Sequence, residues 1–185
     1  GFARSRGESV RPDLWPSVCF CPSLGIQGST LYNIAGATIP QTWGGATVWG
    51  ANYLTFTGAS NNSYINTGLV YPFPSSGLSV VITASHSATQ ADTYQNIISS
   101  YVGNWSLGYA KATKKYYLEI AKSSGSYYRY NNTAITSDTV VTIIATADYG
   151  GTYPDTYLNG VLDNGSTGGT VGTPNSGSAA IFIGM

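Results

Sequence analysis

The sequence predicts an all-β fold, a sandwich, jelly roll or barrel of antiparallel strands, on three observations. No stretch of eleven residues after Trp15 sustains a helical apolar period. Short runs rich in Val, Ile, Thr, Tyr and Phe recur instead at a spacing of roughly ten residues. Clusters of Gly, Pro, Asn, Asp and Ser separate them, the residues that set turns.

Taken in order, the runs are 29–35, 52–58, 63–68, 78–86, 94–102, 104–110, 115–121, 126–131, 139–147, 156–160 and 179–184. The segment 139–147, "TVVTIIATA", is the most continuously apolar and reads as a central strand covered on both faces. In "KYYLEIA" (115–121), Leu118 and Ile120 fall on one face, and Tyr117 and Glu119 on the other. That alternation suits a sheet with one dry and one wet side. In "SYYRYN" (126–131), Tyr128 and Tyr130 share a face opposite Tyr127 and Arg129. Tyrosine is amphipathic, so the pattern leaves open which face is wet. "DTYLNGVLDNG" (155–165) carries Asn159-Gly160, the strongest short-range hairpin signal. A type I′ turn needs positive φ at both central residues, which Asn tolerates and Gly meets without a Cβ to clash. The tracts 149–154 and 164–178 read as exposed loops, the second a mobile Gly/Ser/Thr-rich one.

Composition narrows the function. The chain has 185 residues, 42% hydrophobic, enough for one sizeable core. Only 9% are charged, and formal net charge is zero, so no basic block exists to neutralise a phosphate backbone. Nucleic acid is therefore not an expected partner. Lys111, Lys114 and Lys115 are the densest basic cluster and read as a solvated loop. The apolar runs are too short to span a bilayer, which excludes membrane insertion by a helix. Fifteen tyrosines give a surface that is polar without being ionic, and such aromatic content argues for a folded domain. Cys19 and Cys21, two residues apart, read as thiols rather than a disulfide. Residues 1–14 read as a flexible lead-in, and 15–185 as one domain.

Several stretches resemble the laminin-G-like jelly-roll modules of the concanavalin A-like lectin/glucanase superfamily. "PDTYLNGVLD" is similar to their "lYvNGvl" hairpin, and "WPSVCFCPSLGIQGSTLYNIAG" (15–36) to their opening. "GANYLTFTGASNNSYINTG" (50–68) resembles "galsFdG.ndYv..g", "LSVVITASH" the "fTisaWv" strand, and "AAIFIG" the closing "l.iG". Order and spacing agree over nearly the whole chain from Trp15. The resemblance implies a two-sheet antiparallel jelly-roll sandwich of the concanavalin A-like type. Such modules continue for a strand or two beyond "iG", so the expectation is a jelly roll lacking its last strands. The family's acidic positions are occupied by Asn33 and Thr57, and the polar one before Gly36 by Ala35. Calcium is accordingly not favoured as a cofactor: a hard cation wants several oxygens, and nothing in the sequence clusters Asp148 or Asp155 with other carboxylates.

Catalysis is not expected. Glucan hydrolysis in this superfamily uses paired carboxylates on one strand, because one acid must protonate the leaving oxygen while a second attacks or activates water. Glu119 is the only glutamate past Glu8 and has Tyr117 and Ala121 as its i±2 neighbours, which leaves a glycoside hydrolase a remote alternative. His86, the sole histidine, reads as a solvent-exposed residue at a strand end.

Two non-catalytic functions remain. The first is binding of a glycan or cell-surface polysaccharide by an extracellular, cell-surface or virion-surface module within a larger protein or assembly. Candidate contacts are Trp105, Tyr109, Tyr117, Tyr128 and Tyr130, with Asn104, Asn131 and Asn132. The aromatics would stack on sugar rings and the amides would bond hydroxyls. The second is a structural unit of a fibre, coat or phage appendage, pairing with copies of itself or with neighbouring structural proteins. Sequons at Asn61, Asn104, Asn131 and Asn164 offer glycosylation sites in a secretory host.

Overall fold

The computed structural model describes residues 22–23, 32–33, 41–45, 47–49, 53–57, 63–70, 73–88, 93–100 and 104–184. The lead-in 1–14, Cys19, Cys21 and Asn61 lie outside them. The described residues are all-β, with every pairing antiparallel and no helix.

Two short pairs stand apart, β1 (Pro22–Ser23) with β2 (Tyr32–Asn33), and β4 (Thr47–Trp49) with β5 (Leu54–Phe56). The larger sheet uses β3 (Thr42–Gly44), β6 (Tyr64–Val70), β8 (Tyr94–Ser100), β9 (Trp105–Ala110), β10 (Lys115–Lys122), β11 (Gly125–Asn131), β15 (Asn164–Gly169) and β16 (Ala180–Ile183). Its order is β15-β11-β10-β9-β8-β16-β6-β3. The smaller sheet is ordered β14-β13-β12-β7, from β7 (Leu78–Ala84), β12 (Val141–Ala147), β13 (Asp155–Leu158) and β14 (Val161–Leu162).

The sheets face each other across one core. From the larger sheet come Trp105, Leu107, Tyr109, Tyr116, Leu118, Ile120 and Tyr127; from the smaller come Val80, Val141, Ile143, Ala145 and Ala147. Register explains the division. Trp105, Leu107 and Tyr109 sit opposite Ile120, Leu118 and Tyr116, and Tyr127 sits opposite Ile120, so one face of three adjacent strands points inward. β12 is central in its sheet, as its apolar run predicts, but only one face is dry: Val141, Ile143, Ala145 and Ala147 are buried while Thr142, Ile144 and Thr146 are half-buried. The expected cover on both faces is thus corrected, because the threonines already mark a wet side.

The Asn159-Gly160 hairpin forms as predicted, with φ of 50° and 84°. Asn159 also extends the ladder sideways: its backbone N donates to Thr142 O at 2.8 Å, and its Oδ1 accepts from Thr142 N at 2.9 Å. The expected loop 164–178 needs correction, since its first 6 residues are the edge strand β15, paired with β11. Glycines in a strand weaken it intrinsically, and here they are needed by the neighbour. A Cβ on Gly168 would overlap the Tyr128 ring, and one on Gly169, at φ 73°, would overlap the Ser126 backbone.

The chain passes from the small sheet to the large one at Asp163, and a polar network secures the crossing. Asn131 and Thr133 donate to the Asp163 carboxylate, while Asn131 Oδ1 accepts from Tyr116 N at 2.7 Å. Beside it, Asn164 Oδ1 accepts from Thr156 N, and Arg129 Nη1 pairs with Asp155 at 2.9 Å. Burial raises the Asp163 pKa, but the hydrogen bonds from Asn131, Thr133 and the Asn132 backbone outweigh it and hold the carboxyl below its ordinary value.

Candidate functional site: the outer face of the larger sheet

The residues that alternate with the core on β8, β9, β10 and β11 build a continuous tyrosine surface. Tyr117 on β10 stands opposite Gly108 on β9 and Tyr130 on β11. Tyr128 is opposite Glu119, and Gly168 of β15 lies beyond it. Ring follows ring edge to face: Tyr94–Tyr117 at 6.0 Å, Tyr117–Tyr130 at 5.5 Å and Tyr130–Tyr128 at 5.4 Å. Such tilted contacts are the favoured geometry of aromatic quadrupoles.

Two glycines make room for this row. A Cβ on Gly108 would come within 2.6 Å of the Tyr117 hydroxyl, and the Tyr128 ring lies across Gly168. Tyr117 is therefore pressed onto the sheet and buried, with Tyr94 and Tyr130 against it. Its hydroxyl donates to Asn96 Oδ1 at 3.5 Å. Tyr94 is 58% exposed, and Tyr128 and Tyr130 are half-buried. A parallel polar row runs alongside, in which Ser106, Glu119 and Tyr128 are neighbours across β9, β10 and β11. Ser126 Oγ donates to Glu119 Oε1.

Two phenols of this face, Tyr117 and Tyr130, are held above the ordinary value. Burial, then the neighbouring Glu119, Tyr130 and Tyr94, push Tyr117 far above an ordinary phenol. Tyr130 is pushed up to about 12, by burial first and then by the charge of Tyr94 and its hydrogen bond, with Tyr128 and Glu119 adding to the effect. The face thus offers neutral rings and hydroxyl groups beside one carboxylate.

The predicted contact residues separate into two groups. Tyr128 and Tyr130 line the face, with Tyr117 as its buried base, and Asn132 is exposed at the end of β11. Trp105 and Tyr109 instead point into the core at 5% and 2% exposure, because β9 alternates and they take its inward positions. Asn104 and Asn131 are buried and serve the fold: Asn104 Nδ2 donates to Ser100 and to Gly177 O, and Asn131 holds Tyr116, Thr133 and Asp163. Those two sequons are corrected on the same ground, and Asn164 likewise has its amide engaged by Asp155 and Thr156. Sequence reading missed Tyr94 as a contact and weighed Glu119 only as a catalytic acid. Parity along "YQN" (94–96) and "KYYLE" (115–119) is the signal that places both outward with Tyr117.

His86 also departs from expectation. It is buried rather than exposed, stacked on Tyr109 at 3.7 Å and edge-on to Tyr116 at 6.2 Å. The loop before β12 covers it, with Asp138 N donating to His86 O at 2.8 Å. Its Nδ1 is buried without a hydrogen-bond partner.

Among the described residues, no group of three or more His, Cys, Asp or Glu could hold a metal ion. No helix of the described residues is long and apolar enough to cross a membrane. Compared with known families and with curated proteins, the chain matches no family model and no curated sequence.

Burial lowers the His86 pKa from its ordinary 6.5; Asp138 opposes this and Lys114 reinforces it. The unfolded chain therefore binds the proton more readily, and stability falls as pH drops below about 6.5, until the folded pKa is passed. Denaturant midpoints measured from pH 7.5 to 5 should decline, and His86→Phe, which keeps the stack on Tyr109, should flatten that decline. An equal slope in both proteins would exclude His86 as its source.

Proposed function

We propose that this chain is a non-catalytic carbohydrate-binding module that takes a glycan or cell-surface polysaccharide on the outer face of its larger sheet. The row Tyr94, Tyr130 and Tyr128, flanked by Ser106 and Glu119, carries this reading. A pyranose ring has an apolar C–H face that packs on an aromatic ring, and a rim of hydroxyls that needs donors and acceptors beside it. The face supplies both, from rigid strands, with neighbours fixing the rings. Binding sites of this kind are mostly apolar with a few placed polar groups. The motifs shared with laminin-G-like jelly rolls support the same class, and with it an extracellular, cell-surface or virion-surface setting in a larger protein or assembly.

Calcium has no part in this reading. Asp155, one of the two carboxylates weighed for it, is occupied by Arg129 and Asn164. A broad glycan array probed in calcium and again with chelator should show the same binding in both. Tyr128→Ala with Tyr130→Ala should weaken that binding more than about tenfold, as loss of central aromatic contacts does. Binding that chelator abolishes, or that the double variant retains, would reject this face.

A structural unit is the second reading, and one observation favours it. On the outer side of the smaller sheet, Val81, Ile144, Tyr157 and Leu162 form one row across all four strands. Val81 is 63% and Leu162 56% exposed. A row of this kind suits contact between copies in an assembly. Light scattering during size exclusion separates the readings: a stable monomer at high concentration counts against assembly through this row, and a defined oligomer that Val81→Asp dissolves supports it.

A further inference from the structure

We infer that Glu119 sets the charge class of the ligand, so that the tyrosine face takes neutral polysaccharides and turns away acidic ones. This rests on the carbohydrate-binding reading and adds to it a specificity-determining residue. Glu119 borders the aromatic surface directly: Tyr128 is its register neighbour on β11 and Ser106 on β9, Tyr117 and Tyr130 occupy the row on one side, and Ala121 and Ser126 the row on the other. Its Oε1 accepts the Ser126 hydroxyl. No described residue donates to Oε2, and no described cation pairs with the carboxylate.

The surrounding charges do not offset it. Lys115 is on the same face of β10 but four residues away, about 13 Å along an extended strand. Arg129 points to the other side of β11, where it pairs with Asp155. A tyrosine side chain is neutral or anionic and never positive, so the rings around Glu119 cannot offset its charge. A sugar hydroxyl reaching Oε2 gains a charge-assisted hydrogen bond. A uronic acid or carboxymethyl group in that place meets a like charge, which in water at contact distance weakens binding by about fivefold.

The test uses pairs of polysaccharides that share a backbone and differ in charge: hydroxyethylcellulose with carboxymethylcellulose, and dextran and galactomannan each with its carboxymethyl derivative. Affinity electrophoresis or calorimetry at low salt should show the wild-type chain binding the neutral member at least about fivefold tighter. Raising salt to about 0.5 M should shrink the gap, since screening then acts within a few ångströms. Glu119→Gln retains an oxygen for Ser126 and should bind both members equally, and Glu119→Lys should reverse the preference. Equal wild-type affinity for both members of a pair, or an undiminished preference in Glu119→Gln, overturns the inference and leaves the binding face standing. If the wild-type chain binds neither member of any pair, and no glycan on the array, both readings fail together.

Discussion

The antiparallel register of β9, β10 and β11 is the constraint on which the rest of this structure depends. It aligns Leu107, Leu118 and Arg129 on one side of the sheet, and Gly108, Tyr117 and Tyr130 on the other. Side chains alternate with a period of two, so a slip of one residue would send every tyrosine of the row inward and the core residues outward. Core and candidate binding face are two consequences of one pairing. The tyrosine at the end of one alternation and the leucine at the end of the other cannot be specified separately.

The register works because small residues sit where the rings must lie. Gly108 and Gly168 lack the Cβ that would otherwise occupy the space of Tyr117 and Tyr128. The same logic makes β15 a strand despite its composition. A strand of Asn, Gly, Ser and Thr has little to bury of its own, and it is held by pairing with β11 and by the polar network around Asp163. That network joins Asn131, Thr156 and Asn164 to two carboxylates, Asp163 and Asp155, the second of them paired with Arg129. A chain with only 9% charged residues thus fixes its crossing between sheets with amides and hydroxyls gathered on a few charged groups.

Much of this was legible in the residues. The alternation in "KYYLEIA" separates Leu118 and Ile120 from Tyr117 and Glu119, and Asn159-Gly160 turns the chain where its dipeptide says it should. β15 was not legible, because its glycines signal a loop until the rings resting on them are known. Nor was the depth of Trp105, Tyr109 and His86. Aromatic side chains suit either side of a sheet, and only pairing with Ile120 and Tyr116, and stacking within the core, assigns these inward. Asn104 and Asn131 show the same limit for amides: a sequon and a buried hydrogen-bonding group have the same letters.

The most direct test of the binding face is residue-by-residue mapping of amide chemical shifts during titration with a neutral oligosaccharide that the chain binds. Shifts should gather on Tyr94, Ser106, Glu119, Tyr128 and Tyr130, which span β8 to β11 on one side of the sheet. Shifts confined to the loops at 149–154 and 170–178, or to the outward row of the smaller sheet, would contradict it.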